Sequence, residues 1–228
     1  MDSAWLGLDS AALLTLPDGR QLRPATAAAW QRLQQAARAE GLEIAIASAY
    51  RDFDRQCQIW NAKFAGRRPV LDEQERPLDL REFSDEQKVW AILRWSALPG
   101  TSRHHWGTDL DIYAPALLPP GQTLQLTCAE YAPDGYFAPL TAWLDCRLSE
   151  FGFERPYRHG RADNPGGVAD EPWHISFEAE ARRFEQQMNY PALQAAIMAS
   201  NIAGKAAVLA CLPAIWQGLH PTTTQETS

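Results

Sequence analysis

Two short stretches, far apart in the chain, concentrate the groups that bind metals and move protons: Ser102-Arg-His-His-Trp-Gly-Thr-Asp-Leu-Asp111 and Glu171-Pro-Trp-His174. Of the five histidines in the chain, His104, His105 and His174 lie in these stretches. A fold that uses both must lay them side by side. Asp109 to Ile112 alternates polar and apolar, which suits a half-buried strand with Asp109 and Asp111 on one face and Leu110 and Ile112 on the other. Trp173 to Phe177 alternates too, with His174 facing away from Trp173, Ile175 and Phe177. A turn at Gly107 would fold the imidazole of His104 back toward Asp111. Two such strands, paired, would then bring His104, Asp111 and His174 to one point. Zinc takes imidazole nitrogen and carboxylate oxygen, and a catalytic zinc site has three protein ligands and a fourth position for water. A His/Asp/His set with a free carboxylate beside it, Glu171, therefore points to hydrolysis rather than to a structural clamp. His105 competes with His104 for the first ligand place, and spacing does not separate them.

The pattern Ser102-x-His104-x-x-Gly107-x-x-x-Asp111, followed by Glu171-x-Trp173-His174, resembles the signature of the VanY-like zinc D-alanyl-D-alanine carboxypeptidases. That family also includes L,D-carboxypeptidases and D-Ala-D-Ala dipeptidases that cut cell-wall peptides. A third segment, Ser48-Ala-Tyr50-Arg51-Asp-Phe-Asp-Arg-Gln56, is similar to the family's Ser-Gly-Tyr-Arg-Ser-x-x-x-Gln. The three matches occur in the family's order and span Ser48 to Phe177. Asp109 stands where many members carry a small residue such as Ala, and Asp52 stands in place of the Ser after Tyr-Arg.

The resemblance implies Zn2+ held by His104, Asp111 and His174, with Glu171 as the base that takes the water's proton. It also favours Arg51 in the site, whose guanidinium is a fixed charge and a forked donor suited to an oxyanion or a substrate carboxylate. Ser102 and Gln56 are implied as donors to the peptide's C-terminal carboxylate, and Ser48 and Tyr113 are further candidates for substrate contact. Asp109 reads either as a partner for an imidazole N–H or as a solvent-facing acid. Trp106 and Trp173 flank proposed ligands and are expected to line a pocket. The expected reaction is removal of a C-terminal D-amino acid from a peptidoglycan stem peptide. The alternatives are a D-Ala-D-Ala dipeptidase, an L,D-carboxypeptidase, a peptidase for ordinary L-peptides, and a silent zinc-stabilised binding module such as the resembling hedgehog domain suggests.

Composition narrows the field further. At 228 residues the chain can bury a sizeable core. A net charge of −7 argues against a nucleic-acid partner, which calls for a basic face. The four cysteines, at 57, 128, 146 and 211, form no C-x-x-C pair and read as free buried thiols. The N-terminus lacks a basic segment followed by an apolar run, and no stretch offers the roughly 18 uninterrupted apolar residues of a membrane span. These features lead to the expectation of a cytoplasmic protein with no transmembrane segment, or of one exported to the periplasm or wall by another route.

The fold class expected is α+β: a small central antiparallel sheet carrying the zinc site, helices around it, and a helical C-terminal extension. The boundaries expected are 1–190 for the catalytic domain and 191–228 for the extension with its disordered tail. Asp18-Gly19 marks a turn. Helices are expected over 24–40, 52–65, from a Ser84 capping box to about Trp95, over 139–151 and over 178–187, with a helical pair in 191–219. Strands are expected at 44–47, 109–112 and 173–177, with an edge strand at Thr123–Leu126. Residues 66–82 and 160–169 read as loops, the second at the mouth of the site.

Overall fold

Along the chain run β1 (Leu14–Thr15), β2 (Gln21–Leu22), α1 (Pro24–Ala39), β3 (Ala45–Ser48), α2 (Phe53–Phe64), α3 (Asp85–Leu93), β4 (Asp109–Tyr113), α4 (Cys128–Tyr131), α5 (Ala138–Arg147), β5 (Phe153–Glu154), β6 (His174–Phe177), α6 (Glu178–Gln187), α7 (Tyr190–Ala199) and α8 (Lys205–Leu219). These elements belong to a computed structural model that describes residues 3–157 and 168–219. The described residues fall into two units, one of 3–53, 101–157 and 170–188, the other of 54–100, 168–169 and 189–219.

The first unit is built on a four-stranded antiparallel sheet in the order β3-β4-β6-β5. β4 and β6 pair so that Asp111 lies opposite His174, Leu110 opposite Ile175 and Asp109 opposite Ser176. Leu110, Ile112 and Ile175 are wholly buried, which fixes the register: a slip of one residue would turn each of them over to the other face. On the other side of β4, the pairing with β3 shifts between Ile46 and Ser48, leaving Ser48 opposite Asp111. An irregularity of this kind bends a strand and re-aims its end. Here it re-aims the end that leads to Tyr50 and Arg51. α1 starts at Pro24, where a missing N–H costs the first turn nothing, and buries Ala27, Trp30, Leu33 and Ala37 as one stripe. The α+β class is as expected, with β1 and β2 forming a further small hairpin around Asp18-Gly19.

The second unit is helical. Trp60 of α2 is fully buried and its indole N–H donates to the Ala203 carbonyl at 3.2 Å. Asn61 donates to the Asn201 carbonyl at 3.0 Å and accepts from the Ala203 N–H at 2.7 Å. These bonds stitch the turn between α7 and α8 onto α2, so the C-terminal helices share a unit with residues 54–100 instead of standing alone after 190. α3 carries the expected capping box: Ser84 Oγ accepts from the Gln87 N–H at 3.2 Å and Gln87 Oε1 from the Ser84 N–H at 2.8 Å. No described helix is long and apolar enough to cross a membrane.

Several local expectations are corrected. Thr123–Leu126 forms no strand. The Gln125 and Thr127 N–H groups both donate to the buried Glu130 carboxylate, at 3.0 and 3.2 Å, and Leu126 has a left-handed φ of 56°. The left-handed residue breaks the extended run, and a backbone donor claimed by a side chain is not offered to a neighbouring strand. The helix from Pro139 stops at Arg147 and tightens into a 3-10 turn, Leu148–Phe151. Cys57 and Cys211 are buried, but Cys128 is half-buried and Cys146 is exposed. Residues 158–167 of the loop expected before Glu171, and the tail from 220, lie outside the described residues.

Leu110→Ala, at the centre of the sheet, should lower the stability of the protein by about 2–5 kcal/mol in urea denaturation. Ser84→Ala, which removes only a cap, should cost about 1 kcal/mol in the same measurement.

Candidate metal centre

Each donor is delivered by a different local device. Asp111 and His174 face each other across the β4–β6 rung. His104 comes from a 3-10 turn, Arg103–Trp106, that closes at Gly107 with a left-handed φ of 71°. A Cβ at Gly107 would sit 2.6 Å from Leu13 Cδ2 and 3.3 Å from the Arg23 nitrogen, so glycine is needed both for the backbone conformation and for space. Glu171 comes from a turn in which the His174 N–H donates to the Glu171 carbonyl at 3.1 Å, with Pro172 as its second residue. That turn explains the Glu-x-Trp-His spacing: it brings Glu171 Oε2 to 3.6 Å from His174 Nδ1.

His104, Asp111 and His174 form a buried group whose ligand atoms all lie within 4.8 Å of one another. Their neighbours determine how each ring is protonated. His104 Nδ1 lies 2.9 Å from the Ala49 carbonyl, which can only accept, so Nδ1 carries the proton and the lone pair sits on Nε2. Nε2 lies 3.3 Å from Asp111 Oδ2. His174 is arranged the other way round. Its Nε2 lies 2.9 Å from Asp109 Oδ1, and a carboxylate only accepts, so Nε2–H donates and Nδ1 is left facing Asp111 Oδ1 at 3.0 Å. Two imidazoles thus aim opposite ring nitrogens at one carboxylate.

The electrostatics suit a cation. Burial raises the Asp111 pKa, but the two imidazoles beside it outweigh that and hold the carboxyl well below its ordinary range. Burial and the Arg51 guanidinium push His104 toward its neutral form, against the pull of Asp111. Burial also lowers His174, yet its bonds to Asp109 and Asp111 and their charges prevail and lift it to about 9, so without a metal the ring also carries a proton on Nδ1, between it and Asp111, which a bound cation would replace. The place between these groups draws positive charge. A donor set of two imidazole nitrogens and one carboxylate oxygen fits zinc with one position left open.

His105, the rival for the first ligand place, is not in that group. Its Nδ1 lies 2.6 Å from the Arg51 carbonyl, its ring stacks on Phe53 and burial drives it down to about 3. The Arg51 N–H in turn donates to the His104 carbonyl at 3.1 Å. Adjacent histidines therefore hold one peptide from both sides. Asp109, left open between two readings, is fully buried and bonded to an imidazole.

The remaining candidates are spread more widely. Ser48 sits across β4 from Asp111, and Ser102 is buried just before the 3-10 turn, its carbonyl accepting the His105 N–H at 3.0 Å. Tyr113 ends β4 with its ring edge on Phe137. Gln56 belongs to the second unit, where it is buried and donates to the Ala97 carbonyl at 2.7 Å. Trp106 and Trp173 are core residues rather than pocket walls. Trp106 stacks on Phe184 and donates to the Trp5 carbonyl at 3.1 Å, while Trp173 packs on Tyr131. The reason is that strand alternation turns Trp173 away from His174, and Gly107 turns the chain immediately after Trp106.

Sequence reasoning missed Tyr157, whose ring meets that of His174 edge-on at 4.8 Å and whose carbonyl accepts the Glu171 N–H at 3.0 Å. It also missed Arg103, which lies beneath the site bonded to Asp109. The opposite charges of Arg103 and Asp109, so close in sequence, were the one signal available.

Comparison with known proteins gives a consistent picture. Residues 19–180 match the family VanY, D-alanyl-D-alanine carboxypeptidase. An uncharacterized protein of Haemophilus influenzae is 39% identical over 119 residues, 52% of this chain and 89% of that one. A D-alanyl-D-alanine carboxypeptidase of Enterococcus faecalis is 28% identical over 159 residues, 68% of this chain and 49% of that protein, so the chain spans about half the length of that relative. Among solved structures, VanYB in complex with D-alanine-D-alanine superposes with a TM-score of 0.56 at 25% identity, over 83% of this chain and 91% of that one. The D,D-pentapeptidase VanY of a VanB-type resistance cassette, in complex with Zn(II), gives 0.54 at 26% identity over 78% and 86%.

Zinc supplied to the purified protein should bind at about one equivalent per chain, the load of a single three-ligand site. Elemental analysis should find it lost from His104→Ala and from His174→Ala, and retained in His105→Asn.

Proposed function

Since the chain belongs to the VanY family of D-alanyl-D-alanine carboxypeptidases, we propose that it is a zinc-dependent peptidase that removes the C-terminal D-amino acid from peptidoglycan stem peptides. One observation carries the reading: ring nitrogens of His104 and His174 and the Asp111 carboxylate converge, and Glu171 Oε2 lies 3.6 Å from His174 Nδ1. Support for the metal comes from the Zn(II) complex of the VanY relative, and support for the substrate class from the D-alanine-D-alanine complex of VanYB.

Zinc, when bound, supplies a Lewis acid that lowers the pKa of water to about 7 and polarises a carbonyl oxygen. The residues of the chain do the rest. His104 and His174 would hold the metal through Nε2 and Nδ1, His174 giving up its Nδ1 proton to do so, while the other nitrogen of each ring stays bonded to Ala49 and Asp109. Glu171, three residues before a donor and outside the donor set, takes a proton from the attacking water and returns it to the nitrogen of the leaving D-amino acid. The C–N bond breaks as that nitrogen is protonated, and the shortened peptide keeps the new carboxylate. Arg51 brings a fixed positive charge within electrostatic reach of His104, and its fork suits either the oxyanion or the terminal carboxylate of the substrate.

The experiment is incubation with pentapeptide, tetrapeptide and free dipeptide, followed by mass spectrometry. Loss of one D-alanine from the pentapeptide is expected. Cleavage of the free dipeptide alone would make the protein a dipeptidase, and cleavage of the tetrapeptide alone an L,D-carboxypeptidase. Glu171→Gln has nearly the same shape but no basic carboxylate. It should fold and take up zinc as wild type does while turnover falls by about 10²–10⁴. Binding of stem peptide by both proteins, with hydrolysis by neither, would leave a binding module as the better account.

Arg51→Ala should keep its zinc and lose about 10²–10³ in turnover, and Arg51→Lys should recover little because a point charge does not reproduce the fork. Turnover close to wild type in Arg51→Ala would put this side chain outside the reaction.

A further inference from the structure

Beneath the donor set, on the opposite edge of the His174 ring, lies a second group of polar side chains, the charged pair Arg103 and Asp109 with the hydroxyls of Thr108 and Ser176, all buried. We propose that Arg103 and Asp109 are a positioning pair that aims His174 at the metal and strengthens its hold. The proposal rests on the reading of His104, Asp111 and His174 as metal donors.

The geometry sets Asp109 apart from a fourth ligand. Its Oδ1 accepts from His174 Nε2–H at 2.9 Å and from Arg103 Nε–H at 2.8 Å, and its Oδ2 accepts the Thr108 hydroxyl at 2.5 Å. Every bond it makes to His174 is to the nitrogen turned away from the donor set. Arg103 is held just as firmly. Its second guanidinium nitrogen donates to Ser176 Oγ at 2.8 Å, its third pairs with Glu185 of α6, and the plane lies over Trp106 at 4.7 Å. Ser176 is the register partner of Asp109, so the guanidinium bridges β4 and β6 beside the rung that carries Asp111 and His174.

A buried arginine–carboxylate pair is a poor way to stabilise a core, because apolar side chains of similar volume do as well or better. A core role alone therefore does not account for it. What an apolar pair cannot do is accept a hydrogen bond from the Nε2–H. A carboxylate there fixes the ring's tautomer and rotation and raises the basicity of the nitrogen that faces the metal, while Arg103 supplies the countercharge that lets the carboxylate stay ionised without water.

The test separates positioning from packing. Arg103→Met/Asp109→Ala removes both charges together and leaves no buried ion without a partner. It should fold, as followed by circular dichroism and thermal melting. Its zinc affinity, by competition with a chelator, should fall by about 10–100-fold. Proton NMR should show a downfield, exchange-protected His174 Nε2–H resonance in wild type, and that resonance should vanish in the double variant. A double variant that folds and binds zinc as tightly as wild type overturns the proposal. If the double variant does not fold, Asp109→Asn is read instead, with weakened zinc binding expected and unchanged affinity overturning. Wild-type protein that takes up no zinc would remove the metal reading, whereas a wild-type resonance that is absent, with or without zinc, would remove this one.

Discussion

The rung that pairs Asp111 with His174 is the constraint on which the site depends. Backbone hydrogen bonding holds facing residues of antiparallel strands at a nearly fixed distance, a little over the span that two ligands of one ion need. Two donors thus inherit their spacing from the sheet rather than from the packing of side chains. The third donor is folded back by the turn that ends at Gly107, and Arg51 arrives from the re-aimed end of β3 on the other side of β4. Leu110, Ile112 and Ile175 keep this register because each of them would lose its burial if the strands slipped.

Orientation is added by groups that can only accept protons. The Ala49 carbonyl and the Asp109 carboxylate each claim one ring N–H, and by doing so they leave the other nitrogen of each ring available. His105 makes the same kind of bond, Nδ1 to the Arg51 carbonyl, but its ring stacks on Phe53 and it stands outside the buried group with Asp111. The two rings differ in what the other nitrogen meets: His104 Nε2 faces Asp111 at 3.3 Å.

This is also where the limit of sequence reading falls. His104, Asp111, Glu171 and His174 were legible because strand alternation and a glycine turn are local properties that spacing records. The choice between His104 and His105 was not, since it depends on the Arg51 carbonyl and on the close approach of Gly7 to the His105 ring. The α+β class followed from the mixture of short alternating runs and helical stripes, whereas Thr123–Leu126 alternated as a strand does yet turned left-handed at Leu126 and gave the Gln125 N–H to Glu130. Alternation reports the faces of an extended segment and nothing about where its N–H groups go. Tyr157 had no signal at all, because an irregular segment brings it to His174 without any periodicity.

The two-sided grip on Arg51 has a mechanical consequence. Its N–H is held by His104 and its carbonyl by His105, so the peptide that bears the guanidinium is fastened at both ends to consecutive residues of the 3-10 turn. Any motion of the sheet that shifts the Arg51 backbone must therefore shift the turn that carries both imidazoles with it.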